Sequence, residues 1–241
     1  GLGMLTRLPG WLLMGAGLAM VVPTLRRLLP VGTFSALPVL PATVAARGLF
    51  STGFFTAETY VVLALTRLRG YPESTAGLMI TAATLTWTAS TWLHARLDDQ
   101  DEGRGRRGRI FAGVAVLALG IIVVQPVAWT PNLVVPLAVA GHAVAGLGMG
   151  MAHPATGLVA FARSTEGAEG QLSSYLLVAD QFTPAAGIGL GGALVALANP
   201  TGPGLSTGVG SALVLSLVLV LLGLAAAYRL AREASPVPVL R

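Results

Sequence analysis

Seven long apolar runs, separated by short polar segments, set the pattern of this chain. They cover about Leu8–Leu25, Val39–Thr66, Ser74–Leu97, Arg109–Val127, Leu133–Phe161, Leu172–Ala198 and Ser206–Tyr228. Each is close to or above the roughly 20 residues a helix needs to cross the hydrocarbon core of a bilayer. In lipid only helices and closed barrels satisfy every backbone polar group. Barrel strands alternate in polarity over about ten residues, and these runs are longer and continuous. The pattern therefore predicts an all-α fold, a polytopic transmembrane helical bundle of seven spans.

Composition strengthens that reading. The residues AVILMFWYC make up 54% of the chain, and 31 glycines bring the apolar share to about two-thirds, against about 45–50% in an ordinary soluble domain. Charged residues are 10% where about 25% is usual, and the mean hydropathy is +0.75. A soluble enzyme, a nucleic-acid-binding domain and a disordered chain are excluded on these grounds. The basic pI of about 10.7 comes from fifteen arginines with no lysine. Without cysteine the chain has neither disulfides nor thiolate metal sites.

The arginines cluster between the runs and so report orientation. Arg26 and Arg27, then Arg96, Arg104, Arg106, Arg107 and Arg109, then Arg163, and finally Arg229, Arg232 and Arg241 all fall on one side of an alternating chain. The other side holds Arg7, Arg67 and Arg69, and Arg47 lies within the second run. This bias predicts a multi-pass protein of the cell's inner (plasma) membrane with a cytoplasmic C-terminus. The opposite segments 125–132 and 199–204 carry Pro, Asn and Gly without charge.

Several segments resemble the C-terminal half of a major facilitator superfamily (MFS) transporter, in particular drug-efflux-like members from actinobacteria. The first run followed by LRRLLPVGTFSALPVLPATVAARGLF is similar to the family's sixth helix, central loop and seventh helix. RLRGYPESTAGLM resembles the outer loop before helix eight, and WLHARLDDQDEGRGRRGRIF a degenerate inner loop between helices eight and nine. AGLGMGMAHPATGLVAFA and GQLSSYLLVADQFTPAAGIGLGGAL resemble helices ten and eleven. The resemblance implies a six-helix bundle of two inverted three-helix repeats over residues 39–241. Residues 1–38 would be one preceding helix and a cytoplasmic loop leading from a first half of the same protein. The chain, which starts at Gly1, is then expected to be a fragment beginning inside a longer membrane protein. The other reading is a seven-span protein whose initiator Met has been removed.

Ionisable groups within a membrane are costly and mark candidate function. Glu58 is the acid deepest in an apolar run, in GFFTAETYVV; the resemblance implies a cavity-facing proton or cation site, and the alternative is a carboxyl paired with a neighbouring helix or tipped toward the outer interface. Asp180, in VADQFTP, is either a second proton-coupling group or a structural hydrogen-bond partner. Arg47 lies eleven residues before Glu58, so on one helix the two share a direction to within about 20° but stand about 16.5 Å apart in height. They cannot pair directly. Arg47 either lines a wet cavity or snorkels to the interface. His142 and His153 have the same spacing and cannot share one metal; either is a proton relay or a core histidine. His94 is expected at the interface.

Small polar residues and glycines suggest where helices meet. Thr81, Thr84, Thr88 and Thr91 fall on one face of the third run, as a packing surface between helices that the resemblance places against the first half. Gly146 with Gly150, and Gly187 with Gly191, fit small-x-x-x-small packing. Pro154 and Pro184 are expected to bend their helices. Gly187, Gly189 and Gly192 match a dinucleotide fingerprint, but inside an apolar run it has no meaning. The one N-x-S/T sequence, Asn199–Pro200–Thr201, is blocked by its proline. There is no P-loop, metal motif or catalytic dyad, so neither a cofactor nor an enzymatic activity is expected. The expected function is proton-coupled efflux of a small molecule by alternating access. Its partners would be the bilayer, the substrate, protons and the first half of the protein, with no nucleic acid. The alternatives are the permease subunit of an ATP-driven transporter and a membrane-embedded lipid-processing enzyme.

Overall fold

The computed structural model describes residues 10–37, 39–162, 167–198 and 203–232. Among these residues the chain is helical, with no strand. Helix α1 spans Gly10–Leu28. Helix α2 spans Leu40–Leu63 and ends in a π-helical turn at Ala64–Leu68. Helices α3, Glu73–Asp101, and α4, Arg106–Val124, follow, and α5 covers Val134–Phe161. Helix α6 runs Glu169–Leu177, widens into a π turn at Val178–Phe182, and continues as Thr183–Leu197. Helix α7 spans Pro203–Arg232. These bounds lie within about four residues of the apolar runs. The arginines Arg7, Arg163 and Arg241 and the Asn199–Pro200–Thr201 sequence lie outside the described residues.

Four stretches are long and apolar enough to cross a membrane: Leu40–Leu68, Arg106–Ala128, Val134–Phe161 and Pro203–Arg232. Among the described residues, helices α3 and α6 are not in that set, although seven spans are expected from the runs. The composition of α3 explains its case, with eight Ser or Thr residues and four acids in 29 residues. Helix α6 carries Asp180, Gln181, Thr183 and Pro184 in its middle, which lowers its apolarity over any span-length window.

Small residues set how closely the helices pack. A Cβ on Gly113 would lie 2.7 Å from the backbone nitrogen of Ala152 and 2.8 Å from the Gly148 carbonyl. A Cβ on Gly120 would run into the backbone of Gly141 and Ala145. Helices α4 and α5 therefore touch backbone to backbone at two levels, and the descending pairing makes them antiparallel. Such contact gives dispersion energy where lipid supplies no hydrophobic drive. Gly53 and Phe50 of α2 meet Ser216, Val220 and Gly223 of α7 in the same antiparallel sense. Between these pairs lies one core, with Phe50, Phe54, Met79, Ile110, Ile121 and Met149 fully buried. Helix α1 stands apart from this core and packs on α6.

Because the helices alternate in direction, Arg26, Arg27, Arg96, Arg104, Arg106, Arg107, Arg109, Arg229 and Arg232 share one end of the bundle, and Arg67 and Arg69 lie at the other. At the arginine-rich end, Asp98 and Asp101 close the turn between α3 and α4. Asp101 accepts the backbone N–H groups of Gly103 and Gly105, both at 3.0 Å, and Glu102 and Gly103 take left-handed φ of 54° and 78°. Asp98 is forked by Arg106, at 2.8 Å to Nε and 2.6 Å to Nη2, and Arg109 reaches both acids at 2.6 Å. The hydrogen bonds from Arg106 hold the Asp98 carboxyl below its usual range, with a smaller contribution from Arg109. Asp101 is lowered too, chiefly by its bond to Arg109.

Candidate functional site

Three helices bring one basic, one acidic and one imidazole side chain together inside the bundle. Arg47, two turns into α2, is 7% exposed. Its Nε donates to Asp180 Oδ1 at 2.8 Å and its Nη2 to Asp180 Oδ2 at 2.7 Å, a bidentate fork. Its Nη1 donates to the His153 carbonyl at 2.8 Å and to Thr156 Oγ1 at 2.9 Å. The guanidinium is thus bonded along its whole edge. This position corrects the expectation that Arg47 snorkels to the interface: a long cation with an acid and a carbonyl in reach has no need to seek water.

The local helix geometry delivers these groups. Asp180 sits in the π turn Val178–Phe182, from which its carboxylate meets Arg47 of α2; single π turns of this kind recur at functional sites. Thr183, the residue after that turn, bonds the Ala179 carbonyl at 2.8 Å and the Gly48 carbonyl at 3.2 Å, which fixes α6 against α2. On α5, the Thr156 hydroxyl donates to the His153 carbonyl at 2.7 Å. Pro154 lies inside the same turn of α5.

His153 completes the cluster. Its Nε2 is 2.9 Å from Arg47 Nη2 and 3.2 Å from Asp180 Oδ1, and its ring packs beside Trp87 with centroids 5.7 Å apart. One ring nitrogen cannot serve both neighbours at once. With a lone pair it accepts from Arg47; with a hydrogen it donates to Asp180 and faces the Arg47 N–H donor to donor. The side chains of Asp180 and His153 remain 23% and 28% exposed, so the cluster is open on one side.

The other candidates lie elsewhere. Glu58 is half-buried, and none of the ion pairs among the described residues includes it. His142 is fully buried, with Nδ1 3.1 Å from the Ala138 carbonyl and no partner for Nε2 among the described residues; its ring lies 6.2 Å from that of Phe54. His94 is 2% exposed and lies one helical turn before Asp98, under the charged turn. Thr81, Thr84 and Thr88 are exposed and bond the carbonyls four residues back in their own helix, at 2.8 to 2.9 Å. They reach across to no other described helix. The Thr91 hydroxyl is buried without a partner among the described residues.

The paired glycines stand at helix crossings. Gly146 lies on the Ala83 carbonyl and Thr86 of α3, and Gly150 on the Trp87 carbonyl, Ser90 and Thr91. Gly187 lies against Thr52 and Thr56 of α2, and Gly191 against the ring of Tyr60, whose hydroxyl donates to the Ile188 carbonyl at 2.6 Å. These contacts set the positions of α5 and α6 on either side of Arg47.

Thr156 is not among the site residues expected from sequence, and His153 is expected only as either a relay or a core residue, because a histidine and a threonine in an apolar helix read as core. The usable signal was that Arg47 and Asp180 each lack an opposite charge nearby on their own helix, which makes each a partner for another element. Among the described residues no three His, Asp or Glu side chains group in a way that could hold a metal ion. Comparison of the chain with protein-family models, curated proteins and solved structures gives no match, so the reading of the site rests on its geometry.

Proposed function

We propose that this chain is part of a secondary transporter of the MFS type, which couples the efflux of a small, amphiphilic molecule to proton entry. The observation that supports this reading is the cluster of Arg47, Asp180 and His153, which joins three helices inside an apolar bundle. A buried ion pair is costly to keep and has its best use where one proton changes which partners bind. A proton on His153 Nε2 or on Asp180 weakens the Arg47–Asp180 fork, which loosens α2 from α6 and α5. That loosening is the two-state element that an alternating-access cycle requires. Glu58, on the same side of α2 as Arg47 and about 16.5 Å further along, is the second proton-binding candidate.

On this reading the arginine-rich end faces the cytoplasm of a cell whose plasma membrane the chain spans seven times. The exposed threonine face of α3 then meets a first half of the same protein. The test is transport by the full-length protein in vesicles with an imposed proton gradient. Asp180→Asn should abolish gradient-driven efflux and leave downhill exchange of substrate. Unchanged gradient-driven efflux in Asp180→Asn would remove the cluster from the coupling mechanism.

A further inference from the structure

A cavity of about 760 Å³ separates α1 from the surface formed by α2, α6 and α7. We propose that it binds an anionic phospholipid, with an acyl chain in the cleft and the headgroup phosphate on Arg229. This inference is independent of the transport reading.

The walls decide the apolar half of the ligand. Leu25 of α1, Leu49 of α2, Leu190 of α6, and Leu219 and Leu222 of α7 face the space, over a floor of small residues that includes Gly48 and Ala186. Three of the four hydroxyls in the wall are already committed: Thr52 to the Gly48 carbonyl at 2.6 Å, Thr183 to the Ala179 carbonyl at 2.8 Å, and Thr33 to the Pro30 carbonyl at 2.7 Å; the fourth, on Ser35, is exposed beside Arg229 at the mouth. A cavity lined this way is dry and takes an apolar guest. From Arg229 down to Leu219 the cleft follows ten residues of helix, a depth of about 15 Å, which suits a chain rather than a compact ring.

The mouth decides the polar half. Among the described residues, Arg229 is the one charged residue that lines the cavity, and no acid lines it. Its Nη1 donates to the Ser35 carbonyl at 3.0 Å, which leaves most of its five N–H groups free to meet an anion. Arg26 stands nearby over the ring of Phe34, 5.6 Å from its centroid, and Phe34 is itself part of the lining. Positive charge at the end of an apolar slot matches a phosphate ester on a hydrocarbon chain.

Native mass spectrometry of the purified full chain in neutral detergent tests this. The probes are phosphatidylglycerol and phosphatidylcholine with identical acyl chains. One phosphatidylglycerol should be retained per chain, with about fivefold preference over phosphatidylcholine, the ratio one arginine supplies near a membrane surface. Arg229→Gln should remove the preference and Arg229→Lys should keep it. Ala186→Phe, which fills the floor, should lower retention of both lipids; Ala225→Phe, on α7, repeats the test should the first variant lose its helical circular dichroism. Four results overturn the proposal. They are equal retention of the two lipids, loss of preference in Arg229→Lys as in Arg229→Gln, and displacement of the lipid by inorganic phosphate alone. The fourth is a dimer that excludes lipid and is broken by Ala186→Phe, which would give the cleft to a second copy of the chain.

Discussion

Arg47 and Asp180 are 133 residues apart in sequence and joined by two parallel hydrogen bonds of 2.8 and 2.7 Å. Each charge makes the other tolerable, so removing one should cost more than removing both. Asp180→Asn or Arg47→Met alone should destabilise the chain by about 3–5 kcal/mol, because an uncompensated buried charge or its donors remain. The double variant Arg47→Met with Asp180→Leu should cost less than either. Thermal unfolding of the four proteins in detergent checks this; costs that simply add would show that the pair is not coupled.

The glycines differ in what surrounds them, and their substitutions should differ accordingly. A side chain on Gly150 meets the Trp87 carbonyl and the Ser90 side chain on α3, and backbone cannot step aside. Gly150→Val should therefore cost at least about 1–3 kcal/mol. Gly189, in the same apolar setting on α6, has no neighbour within 4 Å of the place its Cβ would take, so Gly189→Ala should be neutral or stabilising by up to about 1 kcal/mol through helix propensity. Unfolding midpoints of the two variants measure the contrast.

The charged turn between α3 and α4 gives a pH dependence of known sign. Arg106, then Arg109, lower the Asp98 carboxyl in the folded chain, so the unfolded chain takes up protons first as pH falls. The stabilisation is fully present above the usual carboxylate range, near pH 4, and is lost as pH falls through the lower folded value. Asp98→Asn should cost about 2 kcal/mol at neutral pH, as expected for hydrogen bonds to a charged group. It should also flatten the loss of stability below about pH 4. Unfolding midpoints between pH 3 and pH 7 for both proteins provide the check.

Much of the fold was legible because long apolar runs read as helices. The seven runs and the seven helices differ by a few residues at each end, since helix ends carry mixed polarity: α3 continues past Leu97 through Asp98 and Asp101, whose charge ended the apolar run. The two π turns were not legible, because nothing in VADQF or ALTRL distinguishes a π turn from an α turn. Arg47 and Asp180 stood out individually as charges in apolar runs. Their pairing did not, since it depends on which faces α2 and α6 turn to each other, and Gly48 against Thr183 and Gly187 against Thr52 fix that only in three dimensions. The places of His153 and Thr156 in the cluster were hidden for the same reason.

Because the chain has no cysteine, single introduced cysteines report its orientation without background. Arg104 lies in the exposed turn between α3 and α4, and Asn132 in the exposed segment before α5, at the opposite end of the bundle. If the arginine-rich end is cytoplasmic, Asn132→Cys should react with a membrane-impermeant maleimide on intact cells. Arg104→Cys should react only after permeabilisation. The reverse pattern would invert the proposed orientation.

Glu58 separates a proton-binding role from a structural one. It is half-buried and no ion pair among the described residues includes it, so its carboxyl holds no helix in place. Glu58→Gln keeps the shape and removes the charge, and should change stability by less than about 0.5 kcal/mol. Asp180→Asn, by contrast, should be strongly destabilising. In the transport assay, a Glu58 that carries a coupling proton makes gradient-driven efflux by Glu58→Gln fall at least about tenfold while the unfolding midpoint stays in place. Efflux at the level of the unsubstituted protein would leave the coupling to Asp180 and His153, where a single imidazole nitrogen lies between a guanidinium and a carboxylate and can bond only one of them at a time.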